Sequence, residues 1–326
     1  MTSRQLVLEI LEHHKGSFVS GERIAGNLGI TRAAIWRAID ELRKAGYEIE
    51  SSTKIGYRLV KRSDQLSAEG IGSLLPPQII LPIHYHETID STNREAKRLA
   101  LEGAPQGTLV VARMQTGGRG RLGRTFYSPP DSGIYMSMIL RPEMDSSLAL
   151  RITGAAAVAV CRAIEQHAEV QATIKWVNDI HIGGLKVCGI LTEGISGFES
   201  GRIESVVVGI GLNYTIPTGG FPEDLQQIAT AVFTNHIPPG ITRNRMVATI
   251  AERLLEVLDQ LGSSRLTEEY RSRSAVIDKD VQVMQGNETY MAHVIDIADD
   301  GSLLVRMHDG TERLLGSGEI SLRTVT

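Results

Sequence analysis

The chain has 326 residues, 42% of them hydrophobic and 22% charged, with a formal net charge of −4. That length allows two or three domains, and that composition excludes a disordered, collagen-like or coiled-coil chain. Only two cysteines occur, Cys161 and Cys188. With no signal-peptide core and no apolar run of about 18 residues, a cytoplasmic protein with no membrane partner is expected.

Residues 4–13 place Leu6, Ile10 and Leu11 in helical register. A second helix is expected over 20–28, with Ser20 as N-cap, and a third over 32–44. In the third, Ile35, Ile39 and Leu42 form one buried stripe, Thr31 caps the start and Gly46 ends it. Strand-like runs at 47–50 and 57–60 follow, around a turn at Lys54-Ile55-Gly56. Three helices and a hairpin read as a winged helix-turn-helix. Thr31, Arg32, Ala33, Trp36 and Arg37 lie off the stripe, on the surface that would enter a major groove. Lys54 and Arg58 on the wing would meet phosphates. Residues 1–66 carry 11 Lys/Arg against 8 Asp/Glu, and the remainder 23 against 30. A basic head on an acidic body points the same way.

The polar stretch around 63–72 reads as a linker. From 73 to 272 strands and helices alternate. Strands are expected at 108–114, 173–177, 186–192 and 205–212, with a Gly183-Gly184 turn before the third. Helices are expected at 94–102, 147–167 and 244–261. The tail from 273 to 326 holds short strands (281–285, 292–297, 303–307) around Gly, Asp and Asn turns and reads as a small β-barrel. The fold class is α+β: a winged helix-turn-helix over 1–62, a linker over 63–72, a mixed α+β domain over 73–272 and a β-barrel over 273–326.

Chemistry concentrates in a few motifs. Gly117-Gly118-Arg119-Gly120-Arg121-Leu122-Gly123-Arg124 formally contains G-x-G-x-x-G, but Pro129 and Pro130 follow where a dinucleotide fingerprint needs a helix. What remains is a glycine loop carrying three arginines, suited to closing over an anion. Lys175 stands in an apolar strand and should be paired, with Asp179 the nearest candidate. Lys186 starts a strand after a tight turn, placed to enter a cleft. Ser91-Thr92-Asn93 opens a helix. There Thr92 and Glu95 fit a capping box, and the same residues would equally make a polar pocket. Gly209 and Gly211 interrupt a Val-rich strand, as glycines do where a ligand comes close. Asn213 ends that strand, as a turn former or as a reader of an amide or base edge. His84 and His86 share a strand face without a third ligand, and no zinc spacing appears, so no structural metal site is expected.

Five motifs stand in order: Asp90-Ser91-Thr92-Asn93; Gln115-Thr116-Gly117-Gly118-Arg119-Gly120-Arg121 through Ser128-Pro129; Lys175-Trp176-Val177-Asn178-Asp179; Lys186 with Gly189-Ile190-Leu191; and Gly209-Ile210-Gly211-Leu212-Asn213. Over nearly the whole chain the sequence resembles the bifunctional biotin protein ligases that are also biotin operon repressors (BirA type). Val177 stands where that family usually has Pro, and Phe126 where it usually has Trp. Val177 should suit a strand better than Pro.

The resemblance implies a biotin/lipoate-ligase-like catalytic domain and an SH3-like C-terminal barrel. It implies an enzyme that makes biotinyl-5′-adenylate from biotin and ATP. Biotin then passes to a lysine of the biotin carboxyl carrier protein of acetyl-CoA carboxylase. Lys186, Arg119 and Arg121 are the implied catalytic cations. Ser91, Thr92, Asn93, Gln115, Gly118, Arg119, Gly120, Arg121, Lys186, Gly189 and Leu191 are the implied biotin-binding residues. Arg121, Arg124, Lys175, Asn178, Asp179, Lys186 and Asn213 are implied for ATP and the adenylate. Mg²⁺ is carried by ATP, near Asp179. The adenylate is also the implied corepressor: it orders the glycine loops, the protein forms a homodimer, and paired heads grip operator DNA. A DNA-binding sensor without ligase activity and a lipoate ligase are the rival readings. The complete set of cationic motif residues weighs against the first, and the Gly-Arg loop beside Lys175-Trp176 against the second.

Overall fold

The computed structural model describes residues 2–61, 63–141, 149–196, 203–285, 288–316 and 320–324. They group into two compact units, Met1–Leu81 with Ile237–Thr249, and Pro82–His236 with Ile250–Thr326.

The first unit starts with helices α1 (Ser3–His13), α2 (Gly21–Leu28) and α3 (Arg32–Lys44), then the hairpin β1 (Ile49–Ser52) and β2 (Gly56–Leu59). Side-chain caps begin the helices: Ser20 Oγ accepts from the Arg23 amide at 3.1 Å, and Thr31 Oγ1 from the Ala34 amide at 3.2 Å. Such a cap contributes about 1 kcal/mol. Gly29 ends α2 at φ 64°, a left-handed conformation that suits glycine. Val7, Leu11, Ile24, Ile35, Ile39 and Leu42 fill one core, each buried side chain contributing roughly 1.5–3 kcal/mol. This is the expected winged helix-turn-helix.

The stretch expected as a linker is structured. Helix α4 (Ala68–Gly72) is capped by Ser67, whose Oγ accepts from Gly70 N at 3.0 Å. Leu66 and Ile71 are buried and α4 packs on α1. Asn244 accepts from Ser67 N (3.0 Å) and donates to Gln65 O (2.9 Å), and Arg243 grips Asp64. Two apolar anchors in a polar stretch are enough to fold it, and composition alone hid them.

In the second unit the elements are β3 (Ile83–His86), α5 (Thr92–Leu101), β4 (Leu109–Ala112), β5 (Gly133–Leu140), α6 (Ala149–His167), β6 (Thr173–Lys175), β7 (Asp179–Ile182), β8 (Leu185–Ser196) and β9 (Ile203–Asn213). Among the described residues they form a seven-stranded sheet, ordered β3-β4-β5-β9-β8-β7-β6, with only β3 and β4 parallel. The expected helix start at residues 147–148 lies outside the described residues. Ala96 and Ala100 of α5 pack on Val110, Ile139 and Val207 of the sheet. Val177 is buried in the turn after β6, not in the strand, and its peptide bond with Trp176 is cis.

Helix α7 (Arg243–Leu258) and helix α8 (Ser264–Ser272) follow. The tail forms β10 (Asp280–Gln285), β11 (Glu288–Ile297), β12 (Leu303–Met307), β13 (Glu312–Leu315) and β14 (Ile320–Thr324). These make an antiparallel sheet ordered β13-β12-β11-β10-β14, with a register shift at Val294/Asp296 of the kind that bends a sheet. Trp176 Nε1 donates to Gly301 O at 2.9 Å and ties this sheet to the strand-end residues of the site.

Candidate functional site

A cavity of about 290 Å³ lies against β8 and β9. Its wall is glycine by necessity. Gly189 and Gly211 stand opposite each other in register. A Cβ on Gly211 would sit 2.5 Å from the Phe126 ring, and one on Gly189 3.3 Å from it. The two glycines thus make a flat patch that carries an aromatic ring.

The Gly-Arg loop forms a tight hairpin, not an open coil. Gly120 N donates to Arg124 O (2.7 Å) and Phe126 N to Gly118 O (3.0 Å). A single helical turn at Arg121–Gly123 has Leu122 at φ 55° and Gly123 at φ 74°. Arg119, Arg121 and Arg124 all line the cavity. Arg121 Nη1 donates to Asn178 Oδ1 at 3.2 Å, while its Nη2 is buried with no hydrogen-bond partner. Burial pulls the Arg121 pKa below the ordinary arginine value, and the charge of Asp179 pulls it back. A buried guanidinium nitrogen without an acceptor suits an anionic oxygen.

Lys175, Asn178, Asp179 and Lys186 line the same cavity. The Asp179 carboxylate closes an ion pair with Lys186, Oδ2 to Nζ 2.8 Å, a partner that the spacing to Lys175 did not suggest. The pairing comes from neighbouring strands and is invisible in the linear spacing. Asn213 also lines the cavity and donates from Nδ2 to Thr230 O at 2.9 Å.

At the start of α5 the expected capping box is not what forms. Ser91 is the N-cap and makes no side-chain cap bond, and Thr92 is the first helical residue. Thr92 N donates to Gln115 Oε1 at 2.8 Å, and Thr92 Oγ1 lies 3.2 Å from the same oxygen. Gln115 Nε2 donates to Ser128 Oγ at 3.0 Å. Ser137 Oγ is 2.8 Å from Thr92 Oγ1 and donates to Asn93 Oδ1 at 2.6 Å. Ser91, Thr92, Asn93 and Gln115 therefore make one polar corner of the cavity.

Gly120, Gly189 and Leu191 line the cavity as expected, whereas Gly118 is not among its lining residues. Gly118 packs behind the wall, where a Cβ would lie 2.4 Å from Phe126 O. Sequence reasoning missed Phe221, Leu225, Ile228 and Ala229, which also line it. Their spacing is helical, yet Pro222 starts a run of turns there. Backbone bonds from Lys186 N to Ile228 O and from Thr230 N to Lys186 O, both 2.9 Å, fasten that run beside Lys186. Cys188 is fully buried, and burial pushes its thiol up, as fits a packing residue.

In the first unit Thr31, Arg32, Ala33, Trp36 and Arg37 are exposed, Trp36 at 61%. Lys54 is exposed on the wing. Arg58 is bound to Glu50 and stacks over the Phe18 ring at 4.5 Å. No helix among the described residues is long and apolar enough to cross a membrane.

Three families match parts of the chain. The Biotin/lipoate A/B protein ligase family matches residues 85–213, an HTH domain residues 3–58, and the Biotin protein ligase C terminal domain residues 276–323. The Bifunctional ligase/repressor BirA of Bacillus subtilis is 35% identical over 98% of this chain and 99% of its own length. Its namesake from Escherichia coli is 28% identical over 95% of this chain and 94% of its own. Among solved structures, the biotin protein ligase from Aquifex aeolicus in complex with biotin and ATP aligns with a TM-score of 0.63 and 26% identity. The alignment covers 75% of this chain and 99% of that one.

Proposed function

The chain belongs to the family of bifunctional biotin protein ligases and repressors, and on that footing we propose the following division of labour. The central cavity activates biotin with ATP and hands it to a carrier lysine, and the winged head binds operator DNA. A biotin carboxylate oxygen attacks the α-phosphorus of ATP, pyrophosphate leaves, and biotinyl-5′-adenylate forms. A lysine amine of the biotin carboxyl carrier protein of acetyl-CoA carboxylase then attacks the carbonyl. AMP leaves and an amide forms, with the amine's proton released.

Two anions must meet in the first step, so cations have to offset their repulsion and the charge that develops on the phosphate. We assign that to Lys186, Arg119 and Arg121. Ser91, Thr92, Asn93 and Gln115 hold the ureido ring, with Gly120, Gly189 and Leu191 along the ligand and Gly118 behind the wall. Arg124, Lys175, Asn178, Asp179 and Asn213 serve ATP and the adenylate. Mg²⁺ enters with ATP, near Asp179. The observation that carries this reading is the meeting, in one cavity, of these cations with an amide and hydroxyl corner over a glycine floor. The buried, unmatched Nη2 of Arg121 supports an anionic ligand there.

The adenylate also serves as corepressor. It orders the glycine loop, the liganded protein forms a homodimer in the cytoplasm, and two heads grip the operator together. Arg32 and Arg37 read bases from α3 alongside Thr31, Ala33 and Trp36, and Lys54 and Arg58 meet phosphates. Biotin-dependent release of pyrophosphate from ATP tests the first half. Operator gel shifts with and without biotin and ATP test the second. Pyrophosphate release that ignores biotin, or operator binding that ignores both ligands, would remove the corresponding half.

A further inference from the structure

Glu193 does not line the cavity, yet it is half-buried behind the polar corner. It stands on β8, opposite Val207 of β9. Helix α5 presents Asn93 and Lys97, one turn apart, to its carboxylate. Lys97 Nζ lies 2.5 Å from Glu193 Oε1, and Asn93 Nδ2 donates to Glu193 Oε2 at 2.9 Å. The nearest Arg119 nitrogen is 3.9 Å away. Burial works to raise the Glu193 pKa, but Lys97, Asn93 and Arg119 outweigh it and hold the carboxyl below its usual value. The group is therefore an ionised, acceptor-only partner for Asn93.

We infer that Glu193 is a positioning residue that sets the hydrogen-bond polarity of the biotin-binding corner by fixing the orientation of the Asn93 amide. This rests on the ligase reading above. A carboxylate can only accept, so Asn93 must turn Nδ2 toward Glu193 and Leu191 O, the latter at 3.2 Å. Its Oδ1 then faces Ser137 and takes that hydroxyl's single proton. Toward Thr92, Ser137 is left with a lone pair at 2.8 Å, so the Thr92 proton turns to Ser137. Gln115 Oε1 is then occupied by the Thr92 amide and keeps a lone pair, an acceptor for an N–H of a cyclic urea.

With the amide reversed, every proton in the chain reverses. Asn93 would donate to Ser137, Ser137 to Thr92, and Thr92 to Gln115 Oε1 across the existing 3.2 Å contact. The acceptor would be saturated from within. Gly209 leaves no room for Asn93 to escape, since a Cβ there would fall 1.8 Å from Oδ1.

The isosteric change Glu193→Gln tests this directly. Lys97 will keep the amide oxygen that replaces Oε1, which puts an NH₂ against Asn93 and forces the reversal. The expected result is a rise of roughly tenfold or more in both the calorimetric Kd and the KM for biotin. The kcat for pyrophosphate release and the KM for ATP should change far less than the KM for biotin, because Glu193 meets Lys97 and Asn93 directly and the catalytic cation Arg119 only at 3.9 Å. Adding Lys97→Met frees the introduced amide to offer its oxygen to Asn93, and biotin affinity should largely return. A merely structural role for Glu193 predicts that the double variant is worse than the single one. Wild-type biotin affinity in E193Q, or no recovery in the double variant, overturns the inference. Wild-type protein that releases no pyrophosphate with biotin overturns the ligase reading itself, which separates the two failures.

Discussion

Asp179 and Lys186 face each other from adjacent strands, carboxylate oxygen to ammonium nitrogen 2.8 Å, at the rim of the cavity. Both are partly exposed, so the pair adds little to stability. Its effect is positional: it fixes the lysine nitrogen in the cavity that the loop arginines also line.

Lys186→Ala should therefore slow biotin-dependent pyrophosphate release by ~10²–10³, the usual loss for one electrostatic donor to a developing charge. Biotin affinity should fall far less. Stopped-flow pyrophosphate release with a parallel biotin titration separates the two quantities. A mutant that forms adenylate at the wild-type rate would reduce Lys186 to a surface charge.

Gly211→Ala should block the glycine patch. The added methyl would sit 2.5 Å from the Phe126 ring, so the ring must leave the patch or the strand must shift. We expect destabilisation of about 1–3 kcal/mol from overpacking, with weakened biotin binding. Thermal melts and calorimetry check each part. Unchanged affinity would mean that Phe126 moves freely off the patch.

The head offers a separable test. Arg32→Ala should cost about 1–3 kcal/mol on operator DNA and relax preference among sequences, while Lys54→Ala should weaken all DNA alike and lower the salt slope by about 1. Arg58→Ala should weaken all DNA as Lys54→Ala does but less, because its guanidinium is already held by Glu50 and Phe18. Fluorescence anisotropy across a salt series distinguishes the three.

Glu12 carries a pH prediction. Its carboxyl is buried, one oxygen has no partner, and burial raises its pKa above the ordinary value of 4.5 despite Lys15 at 3.2 Å. Glu69 and Asp64 push the same way. A raised folded-state pKa means that the folded head binds the proton more tightly than the unfolded chain. Its stabilising contribution is full below about pH 4.5 and is lost as pH rises through the raised value. Glu12→Gln should thus raise the melting temperature near neutral pH and flatten the slope just above the glutamate range. Melts of both proteins from about pH 4 to about pH 8 decide it; a lower neutral-pH midpoint for the variant would show that the Lys15 pair outweighs burial.

Much of this was legible in the chain. The winged head followed from the Ile35/Ile39/Leu42 stripe and from Ser20 and Thr31, because caps and helical periodicity are local properties. The Gly-Arg loop and the strand glycines pointed to a ligand site, and the resemblance to the biotin protein ligases supplied most of its other residues. What escaped depends on distant neighbours. Strand β5 is buried at all eight positions, so it lacks the alternation that marks a strand with one wet face. Helix α4 is decided by its packing on α1. Glu193, Lys97 and Ser137 carry no signal in sequence and become a network only when α5 lies over the sheet. Phe221 to Ala229 mimicked a helix, and the backbone bonds to Lys186 made it a wall.

The most direct test of the account is transfer itself. The full-length protein is incubated with ATP, Mg²⁺, biotin and an unmodified biotin carboxyl carrier domain, and the carrier is weighed intact by mass spectrometry. The account predicts one biotinyl group on one lysine, appearing only when ATP and biotin are both present. A carrier that stays unmodified while the protein binds biotin and ATP would contradict it.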